Sequence, residues 1–258
     1  MKHIKFFNYS ILSVLFCLAF TACEKDNYDA PDCTIEGQLY DHLNQPFQVQ
    51  QGAEIIRIRE ISWAKDSTTY TANRTLKVQQ DGSYRNTKLF KGSYRVLPYS
   101  GAFFPYDDVN SDGDNAGELV EINHTATQNF KVVPYLTLEW IQKPAVGADG
   151  YLSCSVKFTR NQKPGYEMPD LKEAVLHVSR VINADASDAE LFTKPMTITN
   201  DQEGTEILFK TDISLRFTGI NYWIRVSMNT QTASGKPQTN YPGMGASNYT
   251  TIEKLFVP

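Results

Sequence analysis

From Cys33 onward, apolar residues recur at alternate positions over short runs, which is the period of a half-buried β-strand. The runs at 34–41, 54–63, 67–70, 75–78, 92–98, 117–122 and 127–133 predict strands. Turn-forming groups separate several of them: Asn44-Gln45-Pro46, Gln80-Asp81-Gly82 and Asp112-Gly113. Asp-Gly turns tightly because glycine accepts a positive φ, and Asn44 suits its own turn because asparagine visits the same region. No stretch carries helical periodicity over helical length; the acid-rich 184–191 predicts at most one or two turns.

The pattern continues past Val133-Pro134. Leu136, Leu138 and Trp140 alternate, which assigns Trp140 to the core, and Lys143-Pro144 through Gly150 reads as a loop. Leu152, Cys154, Val156 and Phe158 alternate next, followed by strands at 174–180 and 205–211. In the run from Leu215 to Asn229, Tyr222, Ile224, Val226 and Met228 fall on one face, with Trp223, Arg225 and Ser227 on the other. A closing strand is expected from Asn248 to Val257.

The first 22 residues differ from everything after them. Lys2 and Lys5 precede an apolar run from Ile11 to Phe20, and Thr21-Ala22 leads to Cys23. That run is too short to span a bilayer and reads as a secretory signal of the lipoprotein type, with cleavage before Cys23 and lipid on its sulfur and amine. The Glu24–Asp32 stretch that follows is acidic, aperiodic and proline-bearing, so it predicts a flexible tether. The expected divisions are 1–22 signal, 23–33 tether, 34–133 first β-sandwich and 134–258 second.

Formal charge is −4, and it becomes more negative by two without Lys2 and Lys5. No basic block exists to suit nucleic acid or an anionic membrane surface. Cys17 leaves with the signal. Cys33 and Cys154 occupy inward positions of different strands and read as inert core thiols.

Three aromatic groups suit a sugar, whose C–H faces stack on exposed rings. They are Trp223 with Arg225 on an outward strand face, Trp63 at a strand end, and the loop residues Phe103, Phe104 and Tyr106. The same side chains suit interior roles: cation–π packing for Trp223 and Arg225, and a seam between domains for Trp63 or the Phe pair. Asp108, Asn110, Asp112 and Asp114 with Gly113 match the first half of an oxygen-rich calcium loop, but position twelve is Leu119 where a bidentate Glu belongs. Calcium is thus the one cofactor left open. No Gly-x-Ser-x-Gly elbow, phosphate loop or CxxC pair occurs, so no catalytic residue is assigned and no enzyme is expected.

The order Ile35-x-Gly37-x-Leu39, Asp81-Gly82-Ser83-Tyr84, Gly92-Ser93-Tyr94 resembles the transthyretin-like sandwich also known as the carboxypeptidase regulatory domain. The Tyr222 region resembles the tyrosine corner of an immunoglobulin or fibronectin type III module. Taken with the lipobox, the acidic tether, Gly101-Ala102-Phe103-Phe104-Pro105, Val133-Pro134-Tyr135-Leu136 and Tyr222-Trp223-Ile224-Arg225-Val226, the whole mature chain resembles a Bacteroidota lipoprotein family, domain of unknown function 3823. That resemblance implies an all-β chain of two sandwiches, exposed on the outer membrane. It also implies SusC/SusD-type partners in a TonB-dependent polysaccharide uptake system, and a polysaccharide or oligosaccharide ligand. The alternative is a docking lipoprotein that binds a transporter or SusD-like partner and touches no sugar.

Overall fold

The computed structural model describes residues 30–63, 72–106, 116–185, 191–192, 195–232 and 243–258. Every described strand lies in the compact unit Asp32–Pro258. The signal segment, Cys23, the predicted strand at 67–70 and the Asp108–Asp114 loop lie outside the described residues. Among the described residues there is no α-helix, and none is long and apolar enough to cross a membrane.

The first eight strands are β1 (Cys33–Tyr40), β2 (Ala53–Glu60), β3 (Arg74–Val78), β4 (Ser83–Leu89), β5 (Gly92–Pro98), β6 (Glu118–Ile122), β7 (Thr125–Thr127) and β8 (Phe130–Lys131). They pair in the order β6-β5-β2-β3-β4-β1-β7, with β8 also on β1. Strands β6 and β7 stand at opposite ends of that order, yet only Asn123 and His124 connect them. The two-residue link therefore rolls the sheet until its ends approach, and the Thr34 amide of β1 donates to the His124 carbonyl of that link at 2.6 Å. Ile35, Leu39, Ile56, Ile58, Val78 and Val96 fill the interior.

Gly37 lies in β1 opposite the break between β7 and β8. There the Gln128 carbonyl crosses the strand so closely that a Cβ on Gly37 would lie 1.8 Å from its oxygen. The Tyr84 hydroxyl donates to that oxygen at 2.6 Å and fixes the crossing. This packing explains the glycine in Ile-x-Gly-x-Leu. The two turn expectations hold as well: Asn44 has φ 62° and Gly82 has φ 82°.

The remaining strands are β9 (Leu136–Val146), β10 (Leu152–Arg160), β11 (Leu171–Ser179), β12 (Leu191–Phe192), β13 (Met196–Thr197), β14 (Ile207–Lys210), β15 (Ile220–Thr230), β16 (Ser247–Tyr249) and β17 (Glu253–Val257). They form a three-stranded sheet, β14-β10-β9, and a six-stranded one, β12-β11-β15-β16, with β13 on β11 and β17 on β15. Phe158, Val156 and Leu152 of the first meet Ile224, Val226 and Met228 of the second in one core. Tyr222 is buried, and its hydroxyl donates to the Phe217 carbonyl at 3.1 Å, which is the corner contact expected from sequence. Cys33 and Cys154 are free, buried and in separate cores.

Four local expectations change. The loop predicted from Lys143 starts only after Val146, because β9 is an edge strand with a bulge opposite Cys154, where a proline needs no ladder partner. The predicted strand at 127–133 is split into β7 and β8 around the Gln128 crossing. The closing strand is interrupted at Thr250, whose amide and hydroxyl are both spent on Val226. Ala184 and Asp185 are not helical, and Leu191–Phe192 pairs with β11 as a strand.

Candidate functional site

The outer face of the six-stranded sheet is divided in two. Along β15, Tyr222, Ile224, Val226 and Met228 turn inward, so Asn221, Trp223, Arg225 and Ser227 must turn outward. The β1–β8 unit sits on the Arg225–Ser227 end of that face and leaves the other end, with half-buried Trp223 and Asn221, uncovered.

Arg225 is the centre of the covered half. It is fully buried, and its Nη1 donates to the Val49 carbonyl at 2.9 Å and to Gln80 Oε1 at 3.0 Å, both in the first β unit. Its Nε donates to the Thr250 carbonyl at 3.3 Å, and its guanidinium stacks 4.3 Å from the Tyr249 ring. Burial pulls its pKa down to about 10. Gln80 extends the joint by donating to the Ile182 carbonyl and Asn183 Oδ1, and the Gln51 amide donates to Asp185 Oδ2. Beneath this joint, His177 Nε2 and Ser227 Oγ lie 2.8 Å apart. Desolvation, with help from Arg225, lowers the His177 pKa to about 4. The pair is sealed in the joint, so it offers no substrate a nucleophile or a base.

Phe103 and Phe104 close the seam from the other side. Neighbours in sequence, they enter opposite cores: Phe103 meets Phe47 edge-on at 5.8 Å in the first, and Phe104 meets Tyr135 edge-on at 5.1 Å in the second. Asn248, buried, donates to the Ala102 carbonyl at 2.8 Å and accepts from the Leu136 amide at 3.0 Å. As sugar-contact candidates, Phe103, Phe104 and Arg225 are therefore corrected. Each has the right chemistry for a ligand but no exposed surface: Phe103 and Phe104 are packed inside the two cores, and Arg225 is covered by the first β unit. Tyr106 is half-buried, set edge-on to Phe130 at 5.7 Å, with its hydroxyl 3.3 Å from Glu118 Oε1.

The open half carries Trp223 at the rim of a groove of ≈ 560 Å³ lined by Ser179, Arg180, Val181, Gly219, Ile220 and Asn221. Strand register brings Lys254 beside Trp223 and Phe256 beside Asn221. The Lys254 ammonium stands 5.7 Å from the Trp223 ring centre, and the Arg180 guanidinium lies 4.6 Å over Phe217. Phe256 and Phe217 are 56% and 50% exposed, unusual for rings of that size. Aromatic faces, an amide and two cations thus share one open surface. Trp140, by contrast, packs against the core, and its indole N–H donates to the Thr251 carbonyl at 3.1 Å.

Trp63 forms a second, smaller platform. It is 55% exposed, lies 5.1 Å from Phe90, and its amide donates to the Glu60 carboxylate. Sequence reasoning found Trp63 and Trp223 but missed Phe90, Phe217, Lys254 and Phe256. The last two were legible, since they alternate with the more buried Leu255 and Val257; Phe90 and Phe217 reach their places only through tertiary packing. Among the described residues, no group of three or more His, Cys, Asp or Glu is placed to hold a metal ion, and the calcium candidates lie outside them.

The geometry defines a class, an all-β protein of packed sheets with exposed Phe217 and Phe256 beside a half-buried Trp223. More particularly, residues 33–133 match the family described as protein of unknown function (DUF3823), N-terminal domain. A DUF3823 family protein from Bacteroides uniformis is similar over 88% of this chain and 100% of its own, at 22% identity and TM-score 0.70. A Parabacteroides merdae member of that family gives the same coverage at 16% identity and TM-score 0.61. Another Bacteroides uniformis protein, provisionally named as carbohydrate binding, also covers 88% and 100%, at 17% identity and TM-score 0.64. No curated protein matches the chain. At these identities, the structural likeness establishes the fold.

Proposed function

We propose that this chain is a non-catalytic glycan-binding lipoprotein whose main contact surface is the open half of the six-stranded sheet around Trp223. One observation carries the reading: the sheet face left uncovered by the first β unit presents Trp223, Phe217 and Phe256 beside Asn221, Arg180 and Lys254. Rings supply a stacking surface for sugar C–H groups, and the polar groups meet hydroxyls. The carbohydrate-binding name borne by one structural neighbour supports the same reading. The Cys23 lipobox and acidic tether support an anchor at the outer face of an outer membrane, where a SusC/SusD-type TonB-dependent uptake system would be the partner.

The test is affinity electrophoresis and calorimetry of the chain beginning after Cys23 against plant, host and microbial polysaccharides. Retardation by at least one glycan, lost in Trp223→Ala with the melting temperature kept, is the expected result. Loss in Trp63→Ala instead would move the site to the first β unit. Retardation by no glycan refutes the reading. The exposed Val181, Ile182, Phe217 and Phe256 favour a second reading, a protein-docking face. Co-purification with a transporter that Trp223→Ala and Phe256→Ala abolish, without glycan retardation, would select it. Mass spectrometry of membrane-extracted protein checks the anchor: an acylated N-terminal Cys23 is expected.

A further inference from the structure

We infer that the end of the first β unit where the tether enters is a membrane-contact surface, with Trp63 and Phe90 resting in the headgroup region of the bilayer that holds the Cys23 lipid. The inference rests on the lipid-anchor reading above and adds which face meets the membrane. Three segments converge at this end. The tether enters β1 at Cys33, which pairs with Leu89, the last residue of β4. Phe90 and Lys91 follow at the tip of the β4–β5 hairpin, and the Trp63 ring lies 5.1 Å from Phe90. Backbone contacts hold both rings in place. The Ile61 amide donates to the Ser93 carbonyl at 2.9 Å, the Ser93 amide to Ser62 Oγ at 3.2 Å and the Trp63 amide to Glu60 Oε1 at 3.1 Å. From below, the Tyr94 hydroxyl donates to the Phe90 carbonyl at 2.8 Å. Trp63 is nonetheless 55% exposed.

Covalent length names the occupant. Ten residue steps separate Cys23 from Cys33, and a fully extended chain of that length reaches about 35 Å at most. The end of β1 that begins at Cys33 is therefore kept close to the acylated surface. The other end of the same strands is taken. Val49 and Gln51 precede β2 and Gln80 precedes β4, and all three are bonded to the second β unit. Trp63 lies past the far end of β2, and Phe90 past the far end of β4. Tryptophan suits a bilayer boundary because its body is apolar and its indole N–H is polar. Charges at this end are mixed, Arg74, Lys88 and Lys91 against Asp32, Glu60 and Glu121. The rings rather than a basic patch therefore carry the contact, and a zwitterionic bilayer satisfies it.

The experiment places the membrane-extracted, lipid-anchored chain in phosphatidylcholine vesicles whose acyl chains carry bromine near the headgroup, which quenches tryptophan only on contact. The chain should float with the vesicles, and its fluorescence should fall relative to vesicles without bromine. Trp63→Phe should lose that quenching and Trp223→Phe should keep it, each with the parent's melting temperature. Trp63→Phe leaves a ring on Phe90, so the local packing is retained while the reporter is removed. A chain that floats but shows no quenching, or the same quenching in Trp63→Phe, would overturn this inference and leave the anchor standing. A chain that does not float with the vesicles would overturn both. Glycan retardation lost in Trp63→Ala would also overturn it, because the ring would then belong to a sugar site.

Discussion

Replacing Arg225 tests the joint that decides which part of the sheet is open. The side chain is fully buried, makes three hydrogen bonds from a charged donor and stacks on Tyr249. In Arg225→Met the stem volume stays, but the Val49 and Thr250 carbonyls and Gln80 Oε1 lose their donor. Each buried acceptor left unsatisfied costs about 1–3 kcal/mol. Relief from holding a guanidinium out of water offsets part of that, because burial opposes its charge and lowers its pKa. The net expectation is a loss of about 3 kcal/mol. For a unit of this size, that lowers Tm by roughly 6–12 °C. Differential scanning calorimetry reads the loss and should show the single transition broadening or splitting as the β units uncouple. Two of the three bonds cross to the first unit, so a double-mutant cycle with Gln80→Ala should give a coupling of about 1 kcal/mol or more. A Tm within about 2 °C of the parent, together with zero coupling, would refute the account of Arg225 as the central tie.

Other expectations follow from single contacts. Gly37→Ala should lower stability by about 1–3 kcal/mol in chemical denaturation, because the added methyl must displace the Gln128 carbonyl from Tyr84; an unchanged midpoint would refute the crossing. His177 is held neutral in the folded state, with its pKa near 4 against an ordinary 6.5. Its contribution is therefore fully present above pH 6.5 and is lost as pH falls from there toward 4, because only the unfolded chain takes up the proton in that window. The decline should be shallower in His177→Gln, and superimposed stability–pH curves would contradict the assignment. Burial raises the Cys154 thiol to about 12, so native protein should leave it unmodified by a thiol reagent at pH 8 and expose it only on unfolding.

What sequence determined was whatever depends on neighbours along the chain. Alternation set the inward faces of β1, β10 and β15, since a strand's side chains must point to opposite sides. Local turn chemistry set Asn44 and Gly82 at positive φ. The corner tyrosine was legible because its partner, Phe217, is five residues away. Only tertiary structure decided which outward face meets water. Trp223 and Arg225 are two residues apart on one strand and identical by periodicity, yet one is at an open rim and the other is sealed under Val49 and Gln80. Phe103 and Phe104, adjacent in sequence, went to different cores because the chain crosses between β units there. Alternation tells a side chain which side of its own sheet to take; what covers that side is supplied by residues more than a hundred positions away.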